Sequence, residues 1–196
     1  MERQPDGAYV VGRRLWALGL LAPVSRGLRD VSLPFLQDLS ATTGENAHIA
    51  VRDGLWALYV ERISGRQAVP IVSRSGTRLP LHATAVEKVL LAHAPDAVAE
   101  RVIRSPWRVT DRTVVDPARL LRQLGAVRRR GYALTAEEMS VGTTSVAVPV
   151  VDQDGQLLGA LGVVAAATRR EPARLVPVLQ LAARGISRAA VPGGGR

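Results

Sequence analysis

Two Asp-Gly dipeptides, Asp53-Gly54 and Asp154-Gly155, constrain this chain more than any other feature. Each lies between two runs rich in β-branched and aliphatic residues, the strongest short-range signal for a tight hairpin. Asn46 to Arg52 alternates, with Ala47, Ile49 and Val51 on one face, and Leu55 to Ile63 is nearly continuously apolar. Thr144 to Val151 and Leu157 to Ala166 flank the second turn. Paired strands with helical patterns between them point to a mostly antiparallel sheet with helices packed on it, an α+β fold rather than a doubly wound one.

The helical segments carry their own punctuation. Asp116-Pro117 is an N-cap acid followed by proline in the first helical position. Leu120, Leu121, Leu124 and Val127 then form an apolar stripe that Gly131 ends. A helix is expected from about Arg26 to Thr43, kinked or restarted at Pro34. Others are expected from His82 to about His93, from there to Arg104, and from about Glu171 to Ala190, the last becoming regular near Leu175 because of Pro177. Gly12 to Ala22 is apolar nearly all round, which suits a subunit or domain contact. Ala8 to Val11 reads as a strand with nothing long enough before it to pair. Ala68 to Arg74 is expected to be a strand and Tyr132 to Thr135 another.

Between Ser73 and Leu91 a polar loop passes through Leu79-Pro80-Leu81 into a helix whose first turn is small: Ala83, Thr84, Ala85. Helix starts carry N–H groups without intrahelical partners and a partial positive charge. A ligand could approach closely there. Equally, Ala83, Ala85, Val89 and Ala92 could be a packed face, and the residues alone leave both readings open.

Composition removes several function classes. With 196 residues, 47% of them hydrophobic, there is one domain's worth of core, filled by aliphatics because aromatics are only 4%. Cysteine is absent, so disulfide and thiolate chemistry are excluded. No apolar run reaches the length of a membrane helix, and Met-Glu-Arg-Gln-Pro-Asp-Gly is not a signal peptide; a cytoplasmic protein without a membrane partner is expected. The net charge of +9 invites nucleic acid. Yet of 26 basic residues only Lys88 is lysine, leaving 25 scattered arginines, and Arg128-Arg129-Arg130 closes a helix, where cations suit the dipole. No phosphate loop, nucleophile elbow or His-Glu-x-x-His occurs. His48, His82 and His93 lack metal-ligand spacing. Glu137-Glu138 would point to opposite faces of a strand and is expected at a solvated loop edge. Neither catalysis, a metal nor a cofactor is indicated. Thr135, Thr143, Thr144 and Ser145 remain as a small polar group.

Certain segments together have a family character. Tyr9-Val10-Val11-Gly12, Leu33-Pro34-Phe35-Leu36, Thr43-Gly44-Glu45 and Leu79-Pro80-Leu81-His82-Ala83-Thr84-Ala85 occur in order. Arg130-Gly131-Tyr132, Glu137-Glu138 and Val146-Ala147-Val148-Pro149-Val150 follow. From about Tyr9 to Ala190 the chain resembles the IclR family of bacterial transcription regulators. The resemblance implies a GAF/profilin-like effector-binding domain over residues 23–190, with a disordered tail at 191–196. Residues 1–22 would be the remnant of a DNA-binding wing plus a linker helix. It further implies a small organic or aromatic acid as effector, a homodimer or homotetramer, and operator contact only through an N-terminal winged helix-turn-helix missing here. The alternative is a stand-alone small-molecule-binding protein that does not contact DNA.

Carried over by position, Ala68, Ile71 and Leu79 would be pocket walls, and Ala85 and Val86 would offer backbone N–H groups. Thr135 and Ser145 would be the polar contacts, with Thr143, Gly162 and Val164 completing the lining. Thr135 stands where the family is commonly acidic, Gly162 and Val164 where relatives can present hydroxyls, and Glu87 where glycine usually precedes Lys88. These departures imply a larger, less polar pocket with the effector carboxylate at Ala85-Val86.

Overall fold

In a computed structural model that describes residues 2–3, 9–10, 23–168 and 171–190, the two Asp-Gly hairpins form the middle of one sheet. Glu2–Arg3 (β1) pairs with Tyr9–Val10 (β2), so the short N-terminal strand has the partner that its brevity concealed. The main strands are Asn46–Asp53 (β3), Trp56–Ile63 (β4), Arg78–Pro80 (β5), Ala133–Ala136 (β6), Thr143–Val151 (β7) and Leu157–Ala166 (β8). They lie in the order β5-β4-β3-β8-β7-β6, and every neighbouring pair is antiparallel. This is the α+β architecture that the turn chemistry predicts.

Helices cover both faces. Pro23–Thr43 (α1) and Val176–Ala189 (α5) pack on one side, where Leu36, Leu39, Leu179 and Ile186 meet Ile49, Val148, Leu161 and Val163. Helix α1 runs through Pro34 without dividing; that residue faces solvent, where the lost hydrogen bond is least costly. Pro177 falls in the first turn of α5, after a 3₁₀ turn at Pro172–Leu175, a position that needs no N–H. The expected helix over 12–22 and the tail at 191–196 lie outside the described residues.

On the other face sits Ala85–Ala92 (α2), with Asp96–Arg104 (α3) and Pro117–Arg130 (α4) packed against it. All eight residues of α2 are buried. It can lie that close because the strands beneath it present Ala50, Ala57, Ala133, Ala147 and Ala160. Gly162 completes this small-residue floor. A Cβ there would meet Val86 Cγ2 at 2.5 Å and His48 Nε2 at 3.0 Å. Helix α4 has the cap read from sequence: Asp116 accepts from Arg119 N–H at 2.6 Å, and Gly131 closes it at φ 75°.

The expected strand at Ala68–Arg74 does not form. The outer edge of β4 is taken instead by Arg78–Pro80, with Leu79 opposite Ala57. Residues 64–77 are a loop whose polar groups bond to the sheet individually. Gly65 N–H donates to Glu45 O (3.0 Å), Asn46 Nδ2 to Val69 O (2.7 Å) and Arg62 Nη1 to Ser73 O (3.2 Å). Pro70, lacking a donor, suits this better than a ladder.

The loop's seat on Gly44 permits no side chain at Gly65, where a Cβ would lie 2.3 Å from the Gly44 carbonyl carbon. Gly65→Ala should therefore lower stability by ~1–3 kcal/mol. Gly27→Ala, in α1 with nothing within 4 Å, should raise it by up to ~1 kcal/mol. Urea unfolding of both variants checks the pair of opposite signs.

Candidate functional site

The start of α2 faces the ends of β6 and β7, and two loops, 64–77 and 137–142, close over the gap. At the floor, register sets Thr135 opposite Ser145, and Ser145 opposite Val164. Thr135 Oγ1 and Ser145 Oγ are 2.5 Å apart, and Ser145 Oγ accepts from Ala85 N–H at 3.1 Å. A hydroxyl chain thus runs from the sheet to the first amide of the helix.

Of the residues assigned from sequence, Ile71, Leu79, Thr135, Thr143, Ser145 and Val164 line this cleft. Ala68, Ala85, Val86 and Gly162 do not. Val86 and Gly162 are consumed in helix-on-sheet packing, and the Ala85 amide reaches the site through Ser145. The lining also includes Tyr59, Val72, Ser73, Thr84, Glu137, Glu138, Met139 and Ser140, which sequence reasoning did not assign. The cleft is accordingly richer in hydroxyls than the substitutions implied. It is also tighter. Its cavity volume is about 20 Å³, room for roughly one water.

Of Glu137-Glu138, Glu137 does lie at a partly exposed loop edge, but Glu138 does not. The strand ends at Ala136 and Glu137 takes φ 57°, so the alternation rule no longer applies. Glu137 Oε1 accepts from Gly142 N–H at 2.8 Å, shaping one of the two loops. Glu138 is buried: Oε1 accepts from Lys88 Nζ at 2.5 Å and Oε2 from Val114 N–H at 3.1 Å. Lys88, 1% exposed, donates also to Gln123 Oε1 at 2.8 Å. Burial pulls the Lys88 ammonium below the usual lysine range, against the opposing pull of Glu138.

Behind the cleft, Thr84 and Glu87 form a capping box. Thr84 N–H donates to Glu87 Oε2 at 2.5 Å, and Glu87 N–H to Thr84 Oγ1 at 3.5 Å. The spacing Thr84-x-x-Glu87 was a readable signal for this. Burial pushes the Glu87 carboxyl up to about 8. His48, facing Tyr59 edge-on at 5.1 Å with no partner for either ring nitrogen, is held down at about 3, by burial first and then by Arg62.

The sequence comparisons agree on one assignment. The family described as "Bacterial transcriptional regulator IclR C-terminal" matches residues 22–188. The chain belongs to the IclR family of bacterial transcription regulators. It is 33% identical over 195 residues to the HTH-type transcriptional regulator XynR of Escherichia coli, covering 96% of this chain and 77% of that one. It is 35% identical over 186 residues to the glycerol operon regulatory protein of Streptomyces coelicolor, covering 94% and 73%. Among solved structures, an IclR homologue from Microbacterium hydrocarbonoxydans complexed with 4-hydroxybenzoate superposes with TM-score 0.90 at 34% identity, covering 96% of this chain and 78% of that one. Thermotoga maritima IclR gives 0.80 at 30%, with the same coverage. In this IclR-family domain, among the described residues, no group of three His, Asp or Glu side chains could hold a metal ion. No helix among them is long and apolar enough to cross a membrane.

Glu87 and His48 give the domain a defined pH window. The fold keeps the Glu87 proton that the unfolded chain loses above 4.5, so its contribution falls as pH rises from 4.5 to about 8. The fold keeps His48 neutral while the unfolded chain charges it below 6.5, so its contribution falls as pH drops from 6.5 to about 3. Between 4.5 and 6.5 these two slopes cancel, and the lowered His82 leaves stability rising gently with pH there. Above 6.5 the Glu87 loss should lower stability by about 2 kcal/mol by pH 8, and below 4.5 the lowered Glu61 adds to the His48 fall. Urea unfolding across pH 3–9 checks this, with Glu87→Gln removing the alkaline fall and His48→Gln reducing the acid one.

Proposed function

We propose that this IclR-family domain senses a small organic or aromatic acid in the cleft at the start of α2. Occupancy then modulates operator binding by a winged helix-turn-helix that the described fold does not include. One observation carries this reading: hydroxyls of Thr135, Ser145 and Thr84 converge with a helix N-terminus inside a wall of Ile71, Leu79 and Val164. Pockets with an apolar lining and a few convergent polar groups are the usual form of small-molecule sites. The relative complexed with 4-hydroxybenzoate makes an aromatic acid the first choice of effector. Such a ligand exceeds the space now open, so binding requires loops 64–77 and 137–142 to move apart. Assembly as a homodimer or homotetramer in the bacterial cytoplasm completes the proposal.

Thermal shift and calorimetry with 4-hydroxybenzoate, benzoate, lactate and oxalate test it. An aromatic acid at ~100 times its Kd should add ~2.7 kcal/mol of stability. Ser145→Ala and Thr135→Val should each weaken binding by roughly tenfold, the worth of a buried hydrogen bond. Stabilisation by lactate or oxalate alone, or unaffected binding in both variants, would overturn the assignment.

A further inference from the structure

Two hydroxyls of the cleft, Tyr59 and Thr84, share one buried carboxyl behind them. Tyr59 Oη lies 3.3 Å from Glu87 Oε1 and 3.4 Å from Thr84 Oγ1, while Glu87 Oε2 is fixed by Thr84 N–H. Glu87 is wholly buried and lies outside the cleft lining, whereas Tyr59 and Thr84, 1% and 8% exposed, are lining residues. We propose that Tyr59 and Thr84 are the carboxylate-recognising pair of this cleft, and that Glu87 is the positioning residue that decides whether Tyr59 can donate to the ligand. The inference rests on the cleft being the effector site.

A tyrosine hydroxyl has a single proton to give. With Glu87 protonated, the carboxylic acid donates to Tyr59 Oη, and the Tyr59 O–H can turn to an anion in the cleft. With Glu87 ionised, Tyr59 must donate backwards to the carboxylate. The cleft then meets only lone pairs, with a negative charge behind them. Burial keeps the protonated form dominant at neutral pH, since Glu87 titrates at about 8. An effector anion should therefore bind together with a retained proton, and its affinity should fall about tenfold per pH unit once Glu87 ionises.

Other groups around α2 do not reproduce this pattern. Burial holds Tyr59 on β4 well above its ordinary value and His48 on β3 at about 3. His82, before α2, is lowered by burial although it bonds to Trp107 O. Lys88 on α2 is tied to Glu138 and faces Arg119 of α4, and Glu137 lines the cleft on the 137–142 side.

Calorimetry with benzoate, ionised throughout, between pH 6.5 and 9.5 tests the proposal. The parent protein should bind evenly up to about pH 7.5 and then about tenfold more weakly per unit above 8. Glu87→Gln, which preserves the capping box and whose amide always donates to Tyr59, should give a flat profile. Tyr59→Phe should bind roughly tenfold more weakly at pH 7. A flat profile in the parent, or the same slope in Glu87→Gln, would overturn this inference alone. Failure of benzoate and 4-hydroxybenzoate to bind at any pH would sink the effector-site reading beneath it.

Discussion

A helix that begins inside the protein must have its first N–H groups satisfied there, because no water can do it. Helix α2 is such a helix, and the constraint shapes everything around it. Its seat is a floor of alanines and Gly162. Its first amides go to Ser145, to the Glu87 carboxyl and to the Thr84 hydroxyl. Two of those groups, Ser145 and Thr84, line the cleft, and Glu87 stands behind it. In the proposed function, structural satisfaction and ligand recognition would use the same atoms, and an entering carboxylate would take over a bond already in place instead of creating one.

Charge is handled by the same economy of partners. Lys88 and Glu138 are each buried, and each has a further neutral partner, Gln123 and the Val114 amide. Removing one member of such a pair is far worse than never having it. The pair fastens α2 to the 137–142 loop and to the segment before α4, so the cleft's rim has a fixed root. Glu87 and His48 follow the opposite course: buried without an opposite charge beside them, they are kept neutral. Among the described residues no arginine is itself buried, and Arg62 and Arg119 act on His48 and Lys88 from the margin of this interior.

Local chemistry made much of the fold legible beforehand. Asp-Gly turns specify hairpins without outside help, and Asp116-Pro117 specifies a helix start. The strand expected at Ala68–Arg74 failed because strand patterns do not say which segment wins a sheet edge; Arg78–Pro80 won it. Glu138 was misplaced because the positive φ of Glu137 cancels the alternation on which the inference stood. Gly162 looked like a lost ligand hydroxyl, whereas its real constraint is the approach of Val86 and His48, a tertiary fact. Thr135, Ser145 and Val164 were legible through family position and prove to be cross-strand neighbours. Tyr59 was not, since nothing local marks a strand tyrosine as the partner of a helix-cap glutamate.

We propose that the start of α2 and its two flanking loops form the effector site, and hydrogen exchange read by mass spectrometry, with and without saturating 4-hydroxybenzoate, tests that placement. Slower exchange concentrated in residues 64–77, 84–88 and 137–143 is the predicted result. Protection instead around the cleft where the Trp56 and Trp107 rings lie 5.7 Å apart, with none at the start of α2, would contradict it.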